Sequence, residues 1–190
     1  MTVERTGEAF ELGEQLTVLG SRLVVGDVAP DFELDHLDPA SGASDTVRLS
    51  SSTGKVRLLN IVNSLDTPVC QVETRRWDSI GRELPEAVVL YTISMDLPFA
   101  QARWCGAEQA HHSALSAHRS EEFGQTYGVL IKEWRLLQRA VIVIGRSGRI
   151  EYVEYVRDQM TEPDYDGSVE VVRRVLLSDA VGRGLQNASS

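Results

Sequence analysis

The sequence predicts an α/β fold: a central mixed β-sheet flanked by helices, preceded by an N-terminal β-hairpin. Two near-continuous apolar runs rich in β-branched residues, "VRLLNIV" (56–62) and "AVVLYTIS" (87–94), read as buried strands. The helical segment between them forces a right-handed crossover and a parallel pair. Later, "RAVIVIG" (139–145) and "IEYVEYV" (150–156) flank "RSGR", a tight-turn signal that adds an antiparallel pair to the same sheet.

The remaining elements follow in chain order. "AFELG" and "QLTVLG" alternate loosely around Gly13-Glu14, which makes residues 1–23 a hairpin extension. Pro30 precedes a short extended piece at 32–34, and "PASGASDT" (39–46), rich in small polar residues, reads as a loop. After the first buried strand, Val72, Trp77, Ile80 and Leu84 mark one face of a helix. Pro98 opens a second helix, and Ser120 stands where it caps a short third one. Thr161 and Pro163 announce a last helix reaching about Leu177, with 182–190 read as a flexible tail. No internal repeat or second composition appears, so residues 1–190 are expected to form one domain.

Charge and composition narrow the function. A formal charge of -9 disfavours nucleic acid and anionic membranes as partners, because both demand a basic surface. The polar, acidic start "MTVERTGEAFELGEQ" is no signal peptide, and no apolar stretch reaches membrane-spanning length, so a cytoplasmic protein is expected. Two cysteines are too few for a disulfide scaffold or a structural zinc site. His36, His111, His112 and His118 fall at no recognised metal spacing and read as solvated side chains; no metal site is expected.

Chemistry enters at "NSLDTPVC" (63–70). Proline is favoured at the first helical position, which makes Pro68 that residue, Thr67 the N-cap and Cys70 the third helical residue. The Thr67 hydroxyl is then expected to accept a hydrogen bond from the Cys70 N–H, while the helix dipole favours a thiolate there. An ordinary thiol of pKa about 8.5 is only about 3% thiolate at pH 7, so such a placement matters. The competing reading is a small buried hydrophobe, the usual fate of a free cysteine. Cys105 lies in the second helix, 35 residues on, too far for a CxxC pair. It suits a second thiol that captures an oxidised first one, although two unrelated buried cysteines would look the same.

At this point a family resemblance appears. "VGDVAPDF", "LNIVNSLDTPVC", "SMDLPFAQARWCGAE", "EEFGQTYGVLI", "RAVIVIGRSGRI" and "TEPDYD" resemble, in order, successive blocks of the thiol peroxidases, the atypical two-cysteine peroxiredoxins. The similarity runs from about residue 24 to 170 and implies a thioredoxin-like fold, which the element order also has. It implies that Cys70 is the peroxidatic cysteine, oxidised by hydrogen peroxide or an alkyl hydroperoxide to a sulfenic acid. Cys105 would be the resolving cysteine, forming an intramolecular disulfide that thioredoxin reduces. Thr67 matches the threonine that contacts the sulfur and the peroxide. Arg139, which alone would read as a surface charge, matches the arginine beside the sulfur. The resemblance further implies a homodimer and no metal or organic cofactor.

One residue departs from the pattern. The family carries proline, three residues, threonine, two residues, cysteine; here Asn63 occupies the proline position. Asparagine offers an amide and more backbone freedom where proline gives rigidity. Peroxidase chemistry is expected to survive with altered rate or substrate range. The alternative is a non-enzymatic or redox-sensing relative whose activity Asn63 has altered.

Overall fold

The computed structural model describes the backbone of residues 2–187 and the side chains through residue 178. The chain opens with β1 (Glu4–Glu11) and β2 (Glu14–Leu19), an antiparallel hairpin. Its two turn residues, Leu12 and Gly13, both have positive φ (49° and 87°), as a twist-matched two-residue turn requires. There follow β3 (Glu33–Leu37), β4 (Ser44–Arg48), β5 (Val56–Ile61), α1 (Pro68–Glu83) and β6 (Val88–Ser94). Next come α2 (Pro98–Glu108), β7 (Ser113–Ser116), α3 (Glu122–Thr126), β8 (Leu130–Ile131) and β9 (Leu136–Leu137). The chain then runs through β10 (Ala140–Ile144), β11 (Ile150–Tyr155) and α4 (Tyr165–Asn187).

Seven strands form the central sheet in the order β11-β10-β5-β6-β7-β3-β4. Strands β5, β6 and β7 are mutually parallel and the remaining pairs antiparallel, the mixed sheet expected from the sequence. Side chains alternate along β10: Ala140, Ile142 and Ile144 enter one apolar cluster, Val141 and Val143 another. The second cluster packs under α1 and α4 through Trp77, Tyr165, Val169 and Val172. On the opposite face, Phe123 and Tyr127 stack on each other and Phe32 meets both edge-on, so α3 and the segment leading into β3 cover the sheet.

The hairpin joins a separate four-stranded sheet, β1-β2-β8-β9. That sheet reaches the loop after β11. The Phe10 N–H donates to the Arg157 carbonyl and the Gln159 N–H donates to the Phe10 carbonyl, both at 2.8 Å.

Details of the fold differ from the sequence reading. Residues 44–46, expected in a loop, belong to β4; it is an exposed edge strand, so pairing with β3 forms it without an apolar pattern. Val72 is 51% exposed, because the buried face of α1 runs instead through Cys70, Glu73, Thr74, Trp77 and Asp78. That face is partly polar, and a hydrophobicity pattern misplaces it. The last helix continues ten residues past Leu177 to Asn187, into the stretch expected to be a flexible tail; residues 188–190 of that stretch lie outside the described residues. His112, expected to be solvated, has a side chain only 3% exposed and lies 3.0 Å from Asp78.

Among the described residues no helix is long and apolar enough to cross a membrane.

Trp77 joins the helix that carries Cys70 to the sheet; it is fully buried, with Tyr165 at 4.9 Å between ring centroids. Trp77→Ala is expected to lower unfolding free energy by about 3–5 kcal/mol, read from the urea midpoint. An unchanged midpoint would show that α1 is held by other contacts.

Candidate active site

The site assembles where three central strands end or begin together. Strand β5 ends at Ile61 and feeds the loop to α1. Strand β10 pairs antiparallel with β5, Ala140 opposite Ile61, so Arg139 enters beside the end of β5. Strand β11 pairs Tyr155 with Ala140, which returns the 156–159 loop to the same place. Parallel β6 adds Asp96, whose carboxylate accepts hydrogen bonds from the Ser64 hydroxyl and the Leu65 N–H, both at 2.7 Å. Asp96 thus fixes the loop before the helix.

Helix α1 begins as the sequence predicts, with Thr67 extended at the N-cap (φ -98°, ψ 144°), Pro68 first and Cys70 third. The predicted cap hydrogen bond does not form. Both the Thr67 N–H and its hydroxyl donate to the Ser64 carbonyl, at 3.1 and 2.9 Å, which draws the hydroxyl back into the loop. The helix N-terminus still faces Cys70, but without that side-chain contribution.

Cys70 is fully buried, and the arginine named from sequence is beside it. Arg139 Nη2 lies 3.5 Å from Cys70 Sγ and donates to the Gln159 carbonyl at 2.9 Å. Its Nη1 pairs with the Glu73 carboxylate. Both members of that ion pair are at most 1% exposed, so their attraction is little screened and each needs the other. The fork of the guanidinium therefore divides: one nitrogen is neutralised by Glu73, the other is offered to sulfur.

Asn63 sits on the same group. Its Nδ2 donates to the Leu137 carbonyl (2.6 Å) and to Gln159 Oε1 (3.1 Å), while its Oδ1 lies 3.5 Å from Arg139 Nη2 and 3.9 Å from Cys70 Sγ.

Cys105 lies in α2, only 4% exposed, in a small apolar cluster with Val62, Leu65, Cys70, Trp104 and Ala114. Both cysteines are free thiols. Burial, and to a lesser extent the nearby Asp78 charge, push the Cys105 thiol up to about 11. The C-terminal end of α2 is tied to α1. Arg75 grips Glu108 with two hydrogen bonds of 2.7 Å, Arg82 donates to the Gln109 carbonyl, and Asp78 accepts from the His111 N–H at 2.7 Å. Burial opposes ionisation of Asp78, but its contacts with His112, the His111 N–H and Arg82 together hold the carboxyl below its ordinary range.

The structure thus brings Cys70 and Arg139 into contact, seats Cys105 in the same cluster, and leaves Thr67 at the loop corner. Sequence reasoning missed Glu73, Gln159 and Asp96. Glu73 carries a readable signal: it stands three residues after Cys70, one helical turn on, on the same face. Gln159 carries none.

A carboxylate-balanced arginine beside a buried sulfur suits displacement at an electrophile whose leaving group departs as an anion. Comparison with known proteins gives the same direction. Residues 24–169 match the redoxin family. The thiol peroxidase of Halalkalibacterium halodurans is 44% identical over 169 residues, 86% of this chain and 96% of that protein. The thiol peroxidase of Bacillus subtilis is 39% identical, over 86% of this chain and 95% of that one. Among solved structures, a peroxiredoxin-like protein from Aquifex aeolicus superposes with a TM-score of 0.76 at 32% identity, covering 92% of this chain and 98% of that one. The chain belongs to the redoxin family and, within it, to the thiol peroxidases.

Proposed function

We propose that this protein is a thiol-dependent peroxidase that reduces hydrogen peroxide and alkyl hydroperoxides, with Cys70 as the peroxidatic cysteine. The observation that carries the reading is the 3.5 Å approach of Arg139 Nη2 to the Cys70 sulfur inside a buried site. The Cys70 thiolate attacks the terminal oxygen of the hydroperoxide; the S–O bond forms as the O–O bond breaks. The departing alkoxide or hydroxide takes a proton and leaves as alcohol or water. Arg139 favours the anionic nucleophile and stabilises charge building on the departing oxygen. On the family resemblance, the Thr67 hydroxyl contacts the entering peroxide, accepting a hydrogen bond while it donates to the Ser64 carbonyl.

The sulfenic acid then condenses with the Cys105 thiol, releasing water and forming a Cys70–Cys105 disulfide. Two thiols of a thioredoxin-type reductant restore it, so electrons come from thiols throughout and no metal or organic cofactor takes part. Cys70 and Cys105 lie in separate helices, and on this reading the first turn of α1 and the Cys105 segment of α2 unwind locally before the two sulfurs meet. We further propose a cytoplasmic homodimer, on the family resemblance.

The test is peroxide consumption coupled to a thioredoxin system. Wild type is expected to turn over and Cys70→Ser to lose at least about a thousandfold in rate, the scale of losing a nucleophile. Cys105→Ser should be oxidised once and then stall. Wild-type consumption no faster than Cys70→Ser would end the peroxidase reading.

Burial of Cys105 also predicts a pH dependence of stability. Its folded value, about 11, lies well above that of an ordinary thiol, so the unfolded chain releases that proton first. The contribution is present in full below pH about 9 and is lost as pH rises through about 11, amounting to roughly 2–3 kcal/mol. Denaturant titrations across that window should show wild type losing more stability than Cys105→Ser. Parallel pH curves would contradict the assignment.

A further inference from the structure

The amide of Asn63 can sit only one way round. Its Nδ2 meets two acceptors, the Leu137 carbonyl at 2.6 Å and Gln159 Oε1 at 3.1 Å. Gln159 is itself fixed: its Oε1 also accepts from the Arg139 N–H at 2.9 Å, and its Nε2 donates to the Val156 carbonyl at 2.8 Å. Turning either amide over would set oxygen against oxygen. With Nδ2 committed, Asn63 Oδ1 must face the reacting groups, 3.5 Å from Arg139 Nη2 and 3.9 Å from Cys70 Sγ. Asn63 is 6% exposed and Gln159 2%, so water offers neither a substitute partner.

Arg139 is consequently held on three sides by this pair and its loop. Its backbone N–H goes to Gln159 Oε1, and one Nη2 hydrogen goes to the Gln159 carbonyl. The other Nη2 hydrogen is left between Cys70 Sγ and Asn63 Oδ1, at equal distances of 3.5 Å. An anionic sulfur outcompetes a neutral amide oxygen for that hydrogen. When sulfur becomes the neutral sulfenic acid, the amide oxygen remains as an acceptor and keeps the guanidinium in place.

We propose that Asn63 and Gln159 act as one positioning unit for the peroxide reaction, a locked amide pair that aims Arg139 Nη2 at the Cys70 sulfur and at the oxygen leaving it. The inference rests on the peroxidase reading and deepens it, because it gives the residue standing at the family's proline position a function of its own. Neither residue is assigned to bond making; both act through Arg139.

The test compares two reactions of Cys70 in a full-length Cys105→Ser background: oxidation by hydrogen peroxide and alkylation by iodoacetamide. Alkylation breaks no O–O bond and develops no charge on oxygen, so aim of the guanidinium matters less to it. Asn63→Leu and Gln159→Met, close in volume to the originals, are each expected to lower the oxidation rate about tenfold, or about 1.4 kcal/mol. The alkylation rate should change by less than about threefold, under 1 kcal/mol on the same scale. The double variant should also lose about tenfold rather than a hundredfold, since residues that act as a unit are not additive.

If Asn63→Leu does not fold, Asn63→Ser, too short to bridge, gives the same ratio. Equal losses in both reactions would reduce the pair to a structural role, and multiplicative losses would separate its members; either overturns the proposal. A wild-type oxidation rate no higher, relative to alkylation, than that of a small free thiol would instead sink the peroxidase reading itself.

Discussion

The site depends on a buried charge pair. Glu73 and Arg139 are removed from water together, and an ion pair in that condition is held by the need of each charge for the other. Loss of one partner would leave an uncompensated charge in the core, at about 3–5 kcal/mol. The pair connects the second turn of α1 to the start of β10, and so sets where the helix N-terminus stands over the sheet. Cys70 rides on the turn before it. The sulfur and the guanidinium meet because a carboxylate one turn further along the helix has already anchored the arginine.

Sheet register does the rest. Strand β5 delivers the chain to α1, β10 runs back beside it, and β11 returns the Gln159 loop to the end where both meet. The parallel neighbour β6 ends at the same level and supplies Asp96 to the loop that carries Ser64 and Leu65. Residues scattered from 63 to 159 thus converge without any long or irregular excursion of the chain. The second thiol approaches from α2, whose far end is fastened to α1 through Arg75, Asp78 and Arg82. Any opening of the helix around Cys105 would work against contacts that also hold the helix carrying Cys70.

Much of this was legible in the sequence, and the reasons are physical. Central strands buried on both faces leave near-continuous apolar runs, so β5, β6 and β10 are visible without a structure. The Thr-Pro pair marks the start of α1 because proline fits only that position of the helix. Edge strand β4 and the four-residue β7 form through pairing, and their own residues carry no apolar alternation to signal it. The buried face of α1 is hidden for a related reason: Glu73 and Asp78 are buried by virtue of distant partners, Arg139 and His112, which a local pattern cannot show. Thr67 illustrates a different limit. Its position in the helix was readable, but its hydroxyl had two competing acceptances and donations open to it, and the turn to Ser64 decided between them. Asn63 was visible as a departure; the meaning of the departure lay in Gln159, 96 residues away.

The redoxin match begins at residue 24, so the N-terminal hairpin lies outside it. Yet Phe10 of that hairpin exchanges backbone hydrogen bonds with both sides of the Gln159 loop, and the Gln138 side chain, next to Arg139, donates to the Glu8 carbonyl. The hairpin is thus a mould against which the arginine's surroundings are cast. A chain trimmed to the matched segment would keep Cys70, Thr67, Cys105 and Arg139 and still lose part of what shapes them. Exchange of hairpins between relatives would, by the same contacts, carry a piece of the active site along with it.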